Sequence, residues 1–186
     1  DMGDRAIEIG AVKIENGEIT GRFQELMHPG RRVSSFIADY TGITNAMLAD
    51  AAPCEEVMHR FADFIQGYNL VAHNASFDKR FLDAELARIG RNYNGEFSCS
   101  LLVARRIFQD APSHKLGELI KYTQIPSEGG FHRALFGSEM TTKLWLVMLA
   151  EIKSRCQLAD IPFNLVQKIA KTPKKSVDNL LRRFTN

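Results

Sequence analysis

The chain has 186 residues and a mass of 21.0 kDa, with 24 Lys and Arg against 22 Asp and Glu, a formal charge of +2. That length suits one domain with a tail, and 45% hydrophobic with 25% charged residues excludes a disordered or collagen-like chain. No apolar run reaches the ~20 residues a membrane-spanning helix needs, and Asp1-Met2-Gly3-Asp4 is no signal peptide. Three scattered cysteines (Cys54, Cys99, Cys156) form neither a disulfide framework nor a zinc pattern, which points to a reducing cytoplasm.

In chain order, two β-rich runs come first, Ala6 to Glu15 and Glu18 to Met27, separated by Asn16-Gly17. Asn-Gly tolerates positive φ at both positions, as a two-residue type I′ turn demands, so the pair predicts a hairpin. His28-Pro29-Gly30 ends the second strand, and a polar loop is expected to about Asp50. From Pro53 the period becomes helical, with Val57, Phe61, Phe64 and Ile65 on one face and Gly67 as the stop. Leu70-Val71-Ala72 reads as a short buried strand. Asn74 to Ser76 can cap a helix carrying Phe77, Phe81, Leu82, Leu86 and Ile89, closed by Gly90.

A strand near Phe97 to Leu101 then runs into a helix to Phe108, and Leu116, Leu119 and Ile120 mark another short helix. A long helix carries Leu144, Trp145, Met148, Leu149 and Ile152. Beyond Ile152 two short amphipathic helices flank a Thr172-Pro173 break. A hairpin followed by alternating strands and helices implies an α/β fold, a mixed sheet with helices on its faces, and a short C-terminal helical extension. The division expected is a core over 1–152 and a basic extension over 153–186. After Ile152 there are eight basic residues and two acids, net +6, which leaves the body at −4. Such a tail suits a polyanionic partner, or is a solvated helix face.

Two stretches could carry chemistry. In LVAHNASFDKRFL (Leu70 to Leu82) a buried strand delivers His73 and Asn74 at its end, and Asp78 follows one turn into a helix. Strand ends and helix starts converge where α/β sheets bind ligands, and a carboxylate there can ligate a hard cation such as magnesium. Equally, Asp78 can be a first-turn helix acid, with His73 and Asn74 as caps. In the second stretch His132 follows Gly129-Gly130 and opens a helix. It could act as a general base, or be a surface group.

Together these residues resemble a known family. LVAHNASFD is similar to the second motif of the DnaQ-like, DEDDh-type 3′–5′ exonucleases, and His132-Arg133-Ala134-Leu135 resembles the start of the third. AIEIGAV, Tyr40-Thr41-Gly42-Ile43-Thr44, Ser98-Cys99-Ser100-Leu101, Ala104-Arg105 and Lys115-Leu116 fall in the family's order, so the likeness runs from about Ala6 to Ile152. It implies an RNase H-like fold and a 3′-end hydrolase of DNA or RNA, with two magnesium or manganese ions held by four carboxylates. A polymerase or another replication or repair protein is an implied partner. By position it makes Asp78 a metal ligand and His132 the general base, with both expected to face a common cleft. It also puts Thr41 and Ile43 near the terminal nucleotide, and His73 and Asn74 at the pocket mouth.

The chain departs from that pattern. The family's Asp-x-Glu strand precedes the AIEIGAV strand by roughly ten residues, so its counterpart is expected to be missing. Asp1 cannot replace it, because Gly3 occupies the Glu spacing. Gly137 stands where the final aspartate belongs. Ser138 is a neutral substitute, and Glu139, two helical residues on, should point the other way. Gly137 could lie within the helix, or mark a late start capped by Ser138. Three of four metal carboxylates are thus absent, and two readings compete. One is an exonuclease domain that is impaired or inactive as it stands. The other is a non-catalytic module that keeps the fold and binds nucleic acid or a polymerase, with Phe36, Tyr40 and Phe131 available to stack on bases.

Overall fold

The computed structural model describes residues 6–129 and 132–185, so Asp1, Gly3 and Phe131 lie outside the described residues. These form two compact units.

The first unit comprises the described part of 1–66 with residues 82–93, 128, 129 and 132–139. Its hairpin pairs β1 (Glu8–Glu15) with β2 (Glu18–Leu26) in antiparallel register. Asn16 and Gly17 sit at φ 52° and 80°, the positive pair that the turn chemistry predicts. Along β2 Ile19, Phe23 and Glu25 are partly buried while Thr20, Arg22 and Gln24 are exposed, the two-residue period of a half-buried strand. Phe23 meets Phe61 and Phe64 at 5.3 and 5.5 Å between centroids and fixes α3 (Cys54–Ile65) to the hairpin. Val57, Met58, Phe61 and Ile65 form the buried face of α3, and Gly67 follows its C-cap at φ 83°.

The stretch expected as a polar loop instead holds α1 (Ser35–Thr41) and α2 (Asn45–Ala49). Local capping explains both. The Ser34 hydroxyl accepts from the Ile37 N–H, Gly42 ends α1 at φ 76°, and the Thr44 hydroxyl accepts from the Met47 N–H. Asn45 then fastens the entry to α1, accepting from Val33 N–H and donating to Val33 carbonyl.

The second unit takes 67–81, 94–127 and the described part of 140–186. Its short strands β3 (Leu70–Ala72) and β4 (Phe97–Cys99) pair in parallel. α4 (Ala75–Arg88) follows β3, and α5 (Ser100–Ile107) follows β4 with no intervening loop. α6 (Leu116–Tyr122) is next. α7 runs from Ala134 to Cys156, through the position where the sequence suggested a boundary. α8 (Phe163–Lys171) packs on α5 and β4 through Leu165, Val166, Ile169 and Ala170. A 3-10 turn (Lys174–Ser176) leads to α9 (Val177–Thr185), which buries Val177 and Leu181. Arg106 donates to the Thr172 carbonyl and Gln109 to that of Lys174, satisfying the main chain at the bend. No helix among the described residues is long and apolar enough to cross a membrane.

Candidate active site

In the second unit, β3 leads straight to His73, Asn74 and Asp78. Asn74 holds φ 73°, the left-handed conformation that Asn tolerates better than other non-glycine residues. Its carbonyl accepts from the Phe77 N–H, which starts α4 and brings Asp78 into the first turn. The Asp78 side chain is reached by solvent, yet protein around its carboxyl raises the pKa above the usual range, partly offset by its own N–H.

His73 is committed to structure on both nitrogens. Nε2 lies 2.7 Å from the His114 carbonyl, which can only accept, so Nε2 carries the proton. Nδ1 then accepts from the buried Ser100 hydroxyl at 2.9 Å. Burial lowers the pKa of His73 and outweighs the His114 hydrogen bond, so the ring is neutral. His73 thus locks β3 to the start of α5 and to the 108–115 loop.

In the first unit, His132 is exposed, and the Tyr40 ring lies 3.9 Å from its own, centroid to centroid. Phe36, one turn earlier on α1, stacks on Tyr40 at 6.0 Å and 14°. The Thr41 hydroxyl donates to the Ile37 carbonyl and accepts from the Ile43 N–H, and the Ile43 side chain is buried at 1% exposure. Both hold the α1–α2 corner in shape. Thr41, Ile43 and His132 therefore belong to one unit, and His73, Asn74 and Asp78 to the other.

Immediately after His132 the chain is clamped. Glu8 on β1 is 5% exposed at its side chain and accepts from Arg133 at 2.7 Å and from the Ala134 N–H at 2.8 Å. Burial works to raise its pKa, but Arg133, the Ala134 N–H and Gln24 outweigh it and hold the carboxyl below its usual range. A carboxylate at the first N–H of α7 also meets the positive end of the helix dipole. Beside it, Gly10 permits a close approach: a Cβ there would stand 2.5 Å from the Leu135 nitrogen. Both roles depend on contacts across the fold that no local pattern marks; the signal for Glu8 is an acid set between Ile7 and Ile9 at the apolar start of β1.

Gly137 lies inside α7, its N–H donating to the Arg133 carbonyl, and no atom beyond its chain neighbours and its own turns of helix backbone stands within 4 Å of where a Cβ would be. Ser138 is not a cap. Its hydroxyl donates back to the carbonyls of Gly10 and Ala134. Glu139 turns to β2 and binds Arg22 at 2.8 Å. Among the described residues no group of three or more His, Cys, Asp and Glu is placed to hold a metal ion. Along 137–139 of α7 the polar groups are thus absent or committed: Gly137 has no side chain, Ser138 bonds main chain and Glu139 is held by Arg22.

The RNase T exonuclease family model matches residues 1–145. The PolC-type DNA polymerase III of Caldanaerobacter subterraneus subsp. tengcongensis is 34% identical over 153 residues, 82% of this chain and 11% of that protein. That of Bacillus cereus is 35% identical over 150 residues, 80% and 10% respectively. The chain therefore spans about a tenth of the length of these curated relatives. Exonuclease X in complex with 5′ overhanging duplex DNA gives a TM-score of 0.65 at 26% identity, covering 88% of this chain and 90% of that one. The nuclease domain of 3′hExo, a DEDDh family member bound to rAMP, gives 0.68 at 20% identity over 84% of each chain, a likeness of fold.

Proposed function

This chain belongs to the DnaQ-like, DEDDh-type 3′–5′ exonuclease family, with its RNase H-like α/β fold, and we propose on that footing that it engages a nucleic acid 3′ end while its own hydrolytic chemistry is impaired. The observation that carries the impairment is in α7. Gly137 supplies no carboxylate, Ser138 is bonded to main chain and Glu139 is bonded to Arg22. The family works with divalent ions, and in this reading Asp78 would hold one of them.

In this reading His132 is the base that orients or deprotonates water at the terminal phosphodiester, and the Glu8 clamp behind it fixes where it stands. In the first unit Thr41 and Ile43 shape the corner that meets the terminal nucleotide; in the second, Asn74 borders a pocket mouth and His73 holds that border rigid. Residues 1–152 form the exonuclease-like domain and 153–186 the basic extension. Similarity to PolC-type polymerases supports a setting beside a polymerase. Three free cysteines suit a reducing cytoplasm.

The test is incubation of the full chain with a 3′-labelled single-stranded oligonucleotide and magnesium or manganese, followed for binding and for released mononucleotide. Binding without release is expected. Release at the rate of an active DEDDh exonuclease would overturn the impairment, and absence of binding would overturn the nucleic-acid reading.

A further inference from the structure

Many cations meet a carboxylate: Arg155 and Lys121 in the second unit, bonded to Glu151 and Glu118, and Arg22, Arg60, Arg88, Arg91 and Arg133 in the first. Residues 161–185 are different. They hold six cations and a single acid, Asp178. Lys168, Lys171, Lys174, Lys175, Arg182 and Arg183 are all exposed, and no acidic partner lies against any of them among the described residues.

Their placement makes one field. Lys168 and Lys171 are one turn apart on α8, and Lys174 and Lys175 follow at the bend. The Lys168 ammonium lies 5.3 Å from the Phe184 ring, which brings the last turn of α9, with Arg182 and Arg183, alongside α8. The apolar faces of both helices are spent on packing, through Leu165, Val166, Ile169, Val177 and Leu181. No apolar stripe is left to sink into a bilayer, as an interfacial helix requires. Clustered like charges without acids repel one another, and a polyanion relieves that repulsion by releasing its own counterions.

We propose that α8, the 174–176 turn and α9 form a docking surface for the phosphate backbone of a nucleic acid strand, read without regard to base sequence. The proposal rests on the chain acting on nucleic acid and adds where the strand away from the 3′ terminus is held. An acidic protein segment or an anionic lipid surface is the competing ligand.

The test is equilibrium binding of the full chain to a fluorescein-labelled oligothymidylate in EDTA, which removes any contribution from metal or hydrolysis. The slope of log affinity against log salt is measured from about 50 to 200 mM. Removing four phosphate contacts in the K174Q/K175Q/R182Q/R183Q variant should weaken binding at least tenfold and flatten the slope by about three. K174R/K175R, which keeps the charge, should bind as the parent does. K121Q/K143Q, removing two exposed cations elsewhere in the unit, should stay within about twofold of the parent. Circular dichroism checks the fold, and K174Q/K175Q alone, at an exposed bend, should flatten the slope by about half as much if the fourfold variant unfolds. The proposal is overturned if the fourfold variant binds like the parent, or if K121Q/K143Q weakens as strongly. Affinity for phosphatidylserine vesicles or polyglutamate that exceeds affinity for the oligonucleotide also overturns it. If the parent binds no oligonucleotide at all, the functional reading fails with it. If the parent binds and the fourfold variant binds equally, only this surface fails.

Discussion

The Tyr40 ring packs against the His132 imidazole at 3.9 Å and a 46° tilt, joining α1 to the turn that leads into α7. Phe36 extends the stack, so three exposed rings share one surface of the first unit. The partners are 92 positions apart, which is why no local sequence pattern announces the contact.

Removing that ring should free the imidazole. In Tyr40→Ala the ring-current displacement of the His132 proton resonances should vanish, while Tyr40→Phe should keep it. Because Tyr40 is 53% exposed, the stability cost should stay at about 1 kcal/mol, the usual worth of an aromatic pair. Unchanged His132 resonances in Tyr40→Ala would show that the two rings do not meet in solution.

Gly10 should not accept a methyl group. A Cβ would lie 2.5 Å from the Leu135 nitrogen and 2.6 Å from the Ala134 carbonyl carbon, both backbone atoms that cannot rotate away. Gly10→Ala is expected to cost about 1–3 kcal/mol in urea unfolding, the range for overpacking. It should also loosen the Glu8–Arg133 clamp. A variant as stable as the parent would mean that β1 and α7 approach less closely than the structure has them.

Gly137 is the opposite case. Its Cβ position is open and its conformation helical, so Gly137→Ala should raise stability by up to ~1 kcal/mol. Gly137→Asp should fold as well as the parent, since nothing obstructs the first atom of the side chain. Its useful readout is isothermal titration with manganese: gain of heat relative to the parent would mark the added carboxylate as a ligand. A drop in the thermal midpoint of Gly137→Ala would contradict the open position.

Acid should destabilise the fold in two windows. His73 has a lowered folded pKa, so below its ordinary value of 6.5 the unfolded chain takes up a proton that the folded chain resists, and stability falls as pH falls. Glu8 also has a lowered folded pKa. Its contribution is complete above the ordinary value of 4.5 and is lost as pH drops through the depressed one. Unfolding free energy measured against pH should show both limbs. His73→Gln should flatten the first, and Glu8→Gln should flatten the second while lowering stability at neutral pH by about 1–3 kcal/mol, because Arg133 and the Ala134 N–H lose a charged acceptor.

Much of this protein is legible along the chain. Asn16-Gly17 gives the hairpin because two positive φ values are chemically costly for other residues. The apolar periods of α3 and α9 give helices because one face of each must leave water. Family membership follows from HNASFD and HRAL because those motifs are contiguous. The missed helices α1 and α2 have seven and five residues, too few to display a helical period. Their evidence is in the caps at Ser34 and Thr44, signals that a search for hydrophobic periods passes over.

Sequence by itself determined the hairpin, the longer helices and the family, since each depends on neighbouring residues or on a contiguous motif. Tertiary structure decided what each polar group near the motifs is used for. It gave both nitrogens of His73 to Ser100 and His114, spent Glu139 on Arg22, and set Glu8 under the start of α7. Those partners lie 27 to 126 positions apart, and a hydrogen bond depends on distance in space, which spacing along the chain does not encode.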